Sequence, residues 1–233
     1  MNKIVLLLIG SLWITFPAQA QTFVNARFGT SQVRLVIPKG YCVIDRNDSL
    51  GSLHYKMQAD GNKGRNSVAL LFADCGEWAK RKADNSYLLR HHGNYLFQLT
   101  NSQELLLPET TTRADLIQIY TDYELKSAGV RQENLTKFLE EKLKTGSVKG
   151  PSLNSQVNFG MIDKNSLAFF SGSGATLRYP NEVLRINGVT AATLTRQVPI
   201  SINLYGSDGG QRPFDGLLAQ QKDLVRLLIS VNE

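Results

Sequence analysis

The chain has 233 residues, 42% hydrophobic and 20% charged, with 26 Lys and Arg against 20 Asp and Glu for a formal charge of +6. This composition excludes a disordered polyelectrolyte, and two cysteines are too few for a disulfide-dense miniprotein. At this size roughly 70% of the unfolded surface is buried on folding, so a large core forms without dense cross-linking.

Residues 1–20 read as a secretory signal peptide. Lys3 precedes an apolar run from Ile4 to Phe16, and Ala18-Gln19-Ala20 supplies the small-x-small cleavage pattern. The run is 13 residues long, against the about 20 that a membrane-spanning helix needs, and no later stretch is a better candidate. The expected mature chain, 21–233, starts at Gln21 with formal charge +5 because Lys3 is removed. It carries no transmembrane span, and no cysteine adjoins the cleavage site to take a lipid. The expected location is periplasmic or secreted. A basic protein there meets no nucleic acid; the polyanions in reach are anionic lipid, lipopolysaccharide and acidic wall polymers.

In chain order, Val33, Leu35 and Ile37 alternate as a strand that runs into the turn before Cys42. Asp48 is placed to cap a helix in which Leu50, Leu53, His54 and Met57 share a face, with Gly51 inside it. A polar loop, ADGNKGRN at 59–66, leads to SVALLFADC, an unbroken apolar run expected to be a strand buried on both faces. Trp78 to Lys82 is the densest basic run. LLRHHGNYLFQL, 88–99, reads as a hairpin turning at His92-Gly93-Asn94.

The middle reads as helical. Thr112 caps a face of Leu116, Ile119, Tyr120 and Tyr123; Leu135, Phe138, Leu139 and Leu143 form a second face, ended by Gly146. SVKGPSLNSQ, 147–156, reads as a long surface loop or linker. Met161 to Phe170 reads as a hairpin around Asp163-Lys164-Asn165, and SGSGAT, 171–176, as a flexible loop. Val198, Ile200, Ile202 and Leu204 form a strand, with Pro199 suited to an edge; GSDGG, 206–210, is a turn. The closing helix carries a stripe of Phe214, Leu217, Leu218, Leu224, Val225 and Leu228, interrupted by Gln221. The expected class is α+β: a mostly antiparallel β-sheet packed against several α-helices in a single domain, with one disulfide.

Cys42 and Cys75 could be a nucleophile, a metal ligand or a staple. They are not spaced C-x-x-C, and no further ligands at short spacing complete a zinc site. An even count in an oxidising compartment favours a bridge, closing a loop of 32 intervening residues and contributing about 3–4 kcal/mol.

The common catalytic motifs are largely missing from the sequence. Asn47-Asp48-Ser49-Leu50-Gly51 is similar to the GDSL block of an esterase family, but Asn47 replaces its leading glycine. The Asp-x-x-His that such enzymes carry near the C-terminus is missing, since the last histidine is His92. G-x-S-x-G, S-x-x-K and H-E-x-x-H are absent, and SGSGAT lacks the Gly-Lys-Ser/Thr of a phosphate loop. Asp208 alone is too few carboxylates for calcium. His54, on an apolar helix face, is expected in the core or at its edge, while His91 and His92 would point opposite ways in a strand, which disfavours a shared metal. No catalytic residue, metal site or cofactor is assigned. The candidate anion or partner surface is Trp78, Lys80, Arg81, Lys82, Arg90, His91 and His92, with Trp78 at the interface; a solvated helix face is the alternative.

IPKGYC, LFADC, VPISINLYGSDGG and LLAQQKDLVRLLISVN together resemble a group of exported proteobacterial proteins. That resemblance implies a periplasmic setting, a Cys42–Cys75 pair and no catalytic residues. In the order of elements the chain is similar to the helix-covered antiparallel sheets of PsbP-like and Mog1-like proteins, which implies binding or assembly. The expected function is a non-enzymatic binding or assembly module for an anionic envelope component or envelope protein. The alternative is an envelope hydrolase whose site is assembled from dispersed residues.

Overall fold

A computed structural model describes residues 22–127, 152–178, 183–207 and 214–233. Strands β1 (Thr22–Phe28) and β2 (Ser31–Ile37) form an antiparallel hairpin of their own. The main sheet is built from β3 (Tyr41–Val43), β4 (Asn66–Asp74), β5 (His92–Thr100), β7 (Ser152–Lys164), β8 (Phe169–Arg178), β9 (Val183–Thr195) and β10 (Val198–Gly206). The short β6 (Gln103–Glu104) pairs with β5. Across the sheet the order is β3-β4-β5-β10-β9-β8-β7, and every described pairing is antiparallel. The helices are α1 (Ser49–Asn62), α2 (Cys75–Ala83), α3 (Arg113–Ser127) and α4 (Asp215–Ser230). The fold is α+β, as the sequence pattern indicates.

The two faces of the sheet follow from the alternation of its strands. On the first, Leu70 and Phe72 of β4, Tyr95 and Phe97 of β5, and Ile200, Ile202 and Leu204 of β10 form one core with the β1–β2 hairpin and α4. Leu224, Val225 and Leu228 supply the helix stripe. Gln221 within it is fully buried and its Nε2 donates to Ile202 O at 2.6 Å, so the polar interruption is anchored to the sheet. The hairpin is docked by Tyr95 Oη, which donates to Val36 O at 2.7 Å. Asn232 grips the same strand, accepting from Arg34 N at 2.8 Å and donating to Arg34 O at 2.9 Å.

The second face carries Leu71 and Ala73 of β4, which pack with Ile44, Tyr55 and Trp78 under α1 and α2. β4 is therefore buried on both faces. Asp48 caps α1, accepting from Leu50 N at 2.9 Å, as its position before the apolar spacing suggests. Farther along the sheet, Ile117 and Tyr120 of α3 cover Phe169 and Ala192. Thr112 and Asp115 bond each other's backbone N–H groups at the start of α3, in the manner of a capping box.

Several expectations need correcting. Residues 88–99 are not a hairpin, because β5 is a single strand whose Gly93 admits the Phe72 ring: a Cβ there would lie 2.5 Å from Phe72 Cζ. SGSGAT is no loop; it lies inside β8, paired with β7 and β9, and a Cβ at Gly172 would meet Ile162 at 2.9 Å. Residues 152–156 of the expected linker belong to β7. α3 turns Leu116, Ile117, Tyr120 and Thr121 inward and leaves Ile119 and Tyr123 exposed. Pro199 is in a central strand, but at its start, where β10 pairs only with β9; pairing to β5 begins at Ile200. The stripe from Leu135 to Leu143 with Gly146, and residues 208–210 of GSDGG, lie outside the described residues. The hairpin after Met161 forms, with β7 and β8 joined through Asn165, whose side chain accepts from Leu167 N and Ala168 N.

Candidate functional site

Helix α2 begins at a disulfide. Cys42 of β3 and Cys75 are bridged with Cα atoms 4.9 Å apart, and Asp74 caps the helix by accepting from Glu77 N at 2.9 Å. The neighbouring bond from Cys75 N to Gly40 O, 3.0 Å, holds the helix start against the turn before β3. From that fixed origin the rotation of the helix sends Trp78 inward. It is only 5% exposed, buried against Ile44, Tyr55, Leu71 and Ala73, so it is a core residue and not an interfacial one.

The basic run splits into separate tasks. Arg81 Nη1 donates to the carbonyls of Asn85 and Tyr87, the latter at 2.8 Å, and so ties down the segment that follows the helix. Lys82 is exposed and pairs with Asp48 at 3.3 Å, with its ammonium 5.7 Å from the Trp78 ring centre. The Leu50 amide, and then Lys82, hold the Asp48 carboxyl below the ordinary carboxylate range. Lys80 is exposed, its ammonium 5.6 Å from the Tyr87 ring centre. Arg90 is exposed at the entrance to β5.

Glu77, which sequence reasoning passed over, joins the two halves of the basic region. Its Oε1 lies 2.9 Å from His91 Nδ1, and its Oε2 accepts from Arg90 N at 2.7 Å and His91 N at 2.9 Å. The seven candidate residues are thus brought to one place, α2 and the lead into β5, but they do not form one surface. Trp78 faces the core, Arg81 is half-buried, and His92 is half-buried with its Nδ1 sealed from solvent.

His92 stacks on Tyr205 of β10, ring centres 4.9 Å apart and planes inclined by 22°. Burial, reinforced by the positive charge His54 can carry, pushes its pKa down to about 4 against the opposing pull of Glu77. His54 sits at the core edge as expected, edge-on to Trp78 at 5.6 Å, and burial followed by Arg81 depresses its pKa as well. Both rings are therefore neutral near pH 7.

Beside this cluster a row of amides crosses the second face. Asn94 Nδ2 donates to Gln58 Oε1 of α1 at 3.3 Å, Asn203 Nδ2 to Asn94 Oδ1 at 2.6 Å, and Thr190 Oγ1 to Asn203 Oδ1 at 2.6 Å. Asn94 and Asn203 are buried. The signal was present in VPISINLYG, where Ser201, Asn203 and Tyr205 alternate with the core residues, and in the placement of Asn94 beside Tyr95. Among the described residues no three His, Cys, Asp or Glu side chains are grouped to hold a metal.

No family model and no curated protein matches the chain. Among solved structures it is similar to the solution structure of cyanobacterial PsbP (CyanoP) from Synechocystis sp. PCC 6803. That likeness covers 96% of this chain and 98% of the other, at 12% identity and a TM-score of 0.36.

Proposed function

We propose that this protein is a non-catalytic binding or assembly module of the cell envelope, exported by its first twenty residues, that recognises an anionic partner beside α2. The observation that carries this reading is the way α2 presents its cations. Lys80 and Lys82 are exposed on a disulfide-anchored helix, Lys80 with its ammonium near the ring of Tyr87 beyond the helix end and Lys82 near that of Trp78 while paired with Asp48, so the charge is displayed from a fixed frame. Arg90 adds a third exposed cation at the end of the same segment. Three carboxylates are engaged within the fold: Glu77 with His91 and two backbone amides, Asp48 with the α1 cap and Lys82, and Asp163 with Lys222 of α4.

The test is binding to vesicles containing phosphatidylglycerol, compared with neutral phosphatidylcholine, across a range of salt. Affinity for the anionic vesicles should fall steeply as salt shortens the Debye length, and the double change Lys80→Glu, Lys82→Glu should weaken it further. Arg81 is left intact because it holds backbone carbonyls. Binding that ignores both salt and the double change would return this surface to an ordinary solvated helix.

A further inference from the structure

Among the described residues five buried side-chain polar atoms have no hydrogen-bond partner, and three of them belong to the α1, α2 and β5 region: His54 Nε2, Arg81 Nε and His92 Nδ1. The elements that carry them are tied together: His54 of α1 lies edge-on to Trp78 of α2, three residues before Arg81, and Gln58, one turn on from His54, accepts from Asn94, two residues after His92. Buried polar atoms are almost always satisfied, so three orphans in one neighbourhood call for a partner.

The surrounding groups do not supply one. From α2, Glu77 has both oxygens engaged by His91 and the Arg90 and His91 amides. The carbonyls of Asn85 and Tyr87 take Arg81 Nη1. From β10, Tyr205 offers His92 the face of its ring. An arginine Nε–H can only donate, so what is missing is an acceptor. The permanent charge of Arg81, beside two imidazole rings whose N–H can donate, favours an acceptor that is negatively charged. His54, Arg81 and His92 each keep part of the residue at the surface, while the three nitrogens themselves are sealed from solvent.

We propose that the junction of α1, α2 and β5 binds one small oxyanion group, a phosphate or a carboxylate, that accepts hydrogen bonds from Arg81 Nε and from the rings of His54 and His92. This deepens the anion-binding reading, on which it rests for the class of ligand, by placing the specific contact on the inner side of α2. Because a bound anion stabilises the protonated imidazoles, binding and protonation are linked: the His92 midpoint, about 4 without ligand, rises on binding, and affinity increases as the pH falls.

The experiment is titration of the full mature chain with inorganic phosphate while the histidine ring signals are followed by NMR, against sodium chloride at matched ionic strength. The His54 and His92 signals should move together and saturate. Arg81→Met should weaken phosphate binding about ten- to hundredfold, the worth of one charge-assisted hydrogen bond. If that variant does not fold, His54→Phe keeps a ring against Trp78 and should also lower affinity. Vesicles of phosphatidylglycerol that move the same two signals identify a lipid headgroup as a source of the oxyanion; a response to phosphate alone identifies a free ion. No saturable movement beyond the chloride control, or a response unchanged in the folded variants, overturns the proposal and leaves the three nitrogens to water. The protein carrying Lys80→Glu and Lys82→Glu separates the two readings, since it should lose vesicle affinity yet keep its phosphate response.

Discussion

Gly93 shows how a single hydrogen atom in place of a methyl group sets the distance between strands and rings. A Cβ at this position would lie 2.4 Å from Asn203 O and 2.5 Å from Phe72 Cζ, and neither the sheet backbone nor the buried ring can retreat without disturbing its neighbours. Gly93→Ala should therefore destabilise the protein by about 1–3 kcal/mol, beyond the range of ordinary surface changes. Urea unfolding measures it, and a loss under about 0.5 kcal/mol would show that the strand absorbs a methyl group. The sequence offers His-Gly-Asn, a pattern that equally suits a tight turn, and nothing local distinguishes a glycine needed for bending from one needed for close approach. The two cysteines are legible for the opposite reason: their number and setting restrict the outcome whatever the intervening chain does. The meeting of His54 with Trp78 depends on two helices converging, and periodicity within each helix carries no trace of it.

At the scale of elements, legibility follows the contrast between faces. α4 and β4 were readable because an apolar stripe or an unbroken apolar run leaves one arrangement open. α3 has apolar residues at 116, 117, 119, 120, 123 and 125, nearly all round, so only packing on Phe169 and Ala192 decides which of them face inward. β8 carries glycines that make room for Ile162 and Phe214 and so imitate the composition of a loop. α2 is short and owes its position to its beginning, where the bridge, the Asp74 cap and the Gly40 carbonyl converge. Replacing both Cys42 and Cys75 with alanine should lower stability by about 3–4 kcal/mol, from the conformational freedom returned to the unfolded chain. Chemical denaturation of the two forms checks this. Equal midpoints would mean that the frame of α2 stands without the bridge.

At the scale of the whole molecule the sheet is shared between distant parts of the chain. β5 pairs with β10 from Phe97↔Ile200 to His92↔Tyr205, and α4 packs on the same core as β2. We propose from this that residues 21–233 unfold as one cooperative unit, because neither half can cover its apolar face alone. Limited proteolysis within 147–156 should leave the two pieces associated and melting in a single transition. A separately stable fragment, or two transitions, would divide the chain into two domains.

The β5–β10 seam also governs when the structure can be completed. Synthesis runs from the N-terminus, so β5 exists long before β10, and for that interval its β10-facing edge has no native neighbour. Contacts so far apart in sequence make the closing step slow, and an unpaired strand edge invites association with other chains. Both cysteines precede the seam, so their bridge needs no residue of the last strand to form. The bridge therefore lies wholly on the N-terminal side of the seam, fixing β3 and α2 while leaving the union of β5 with β10 to the strands themselves.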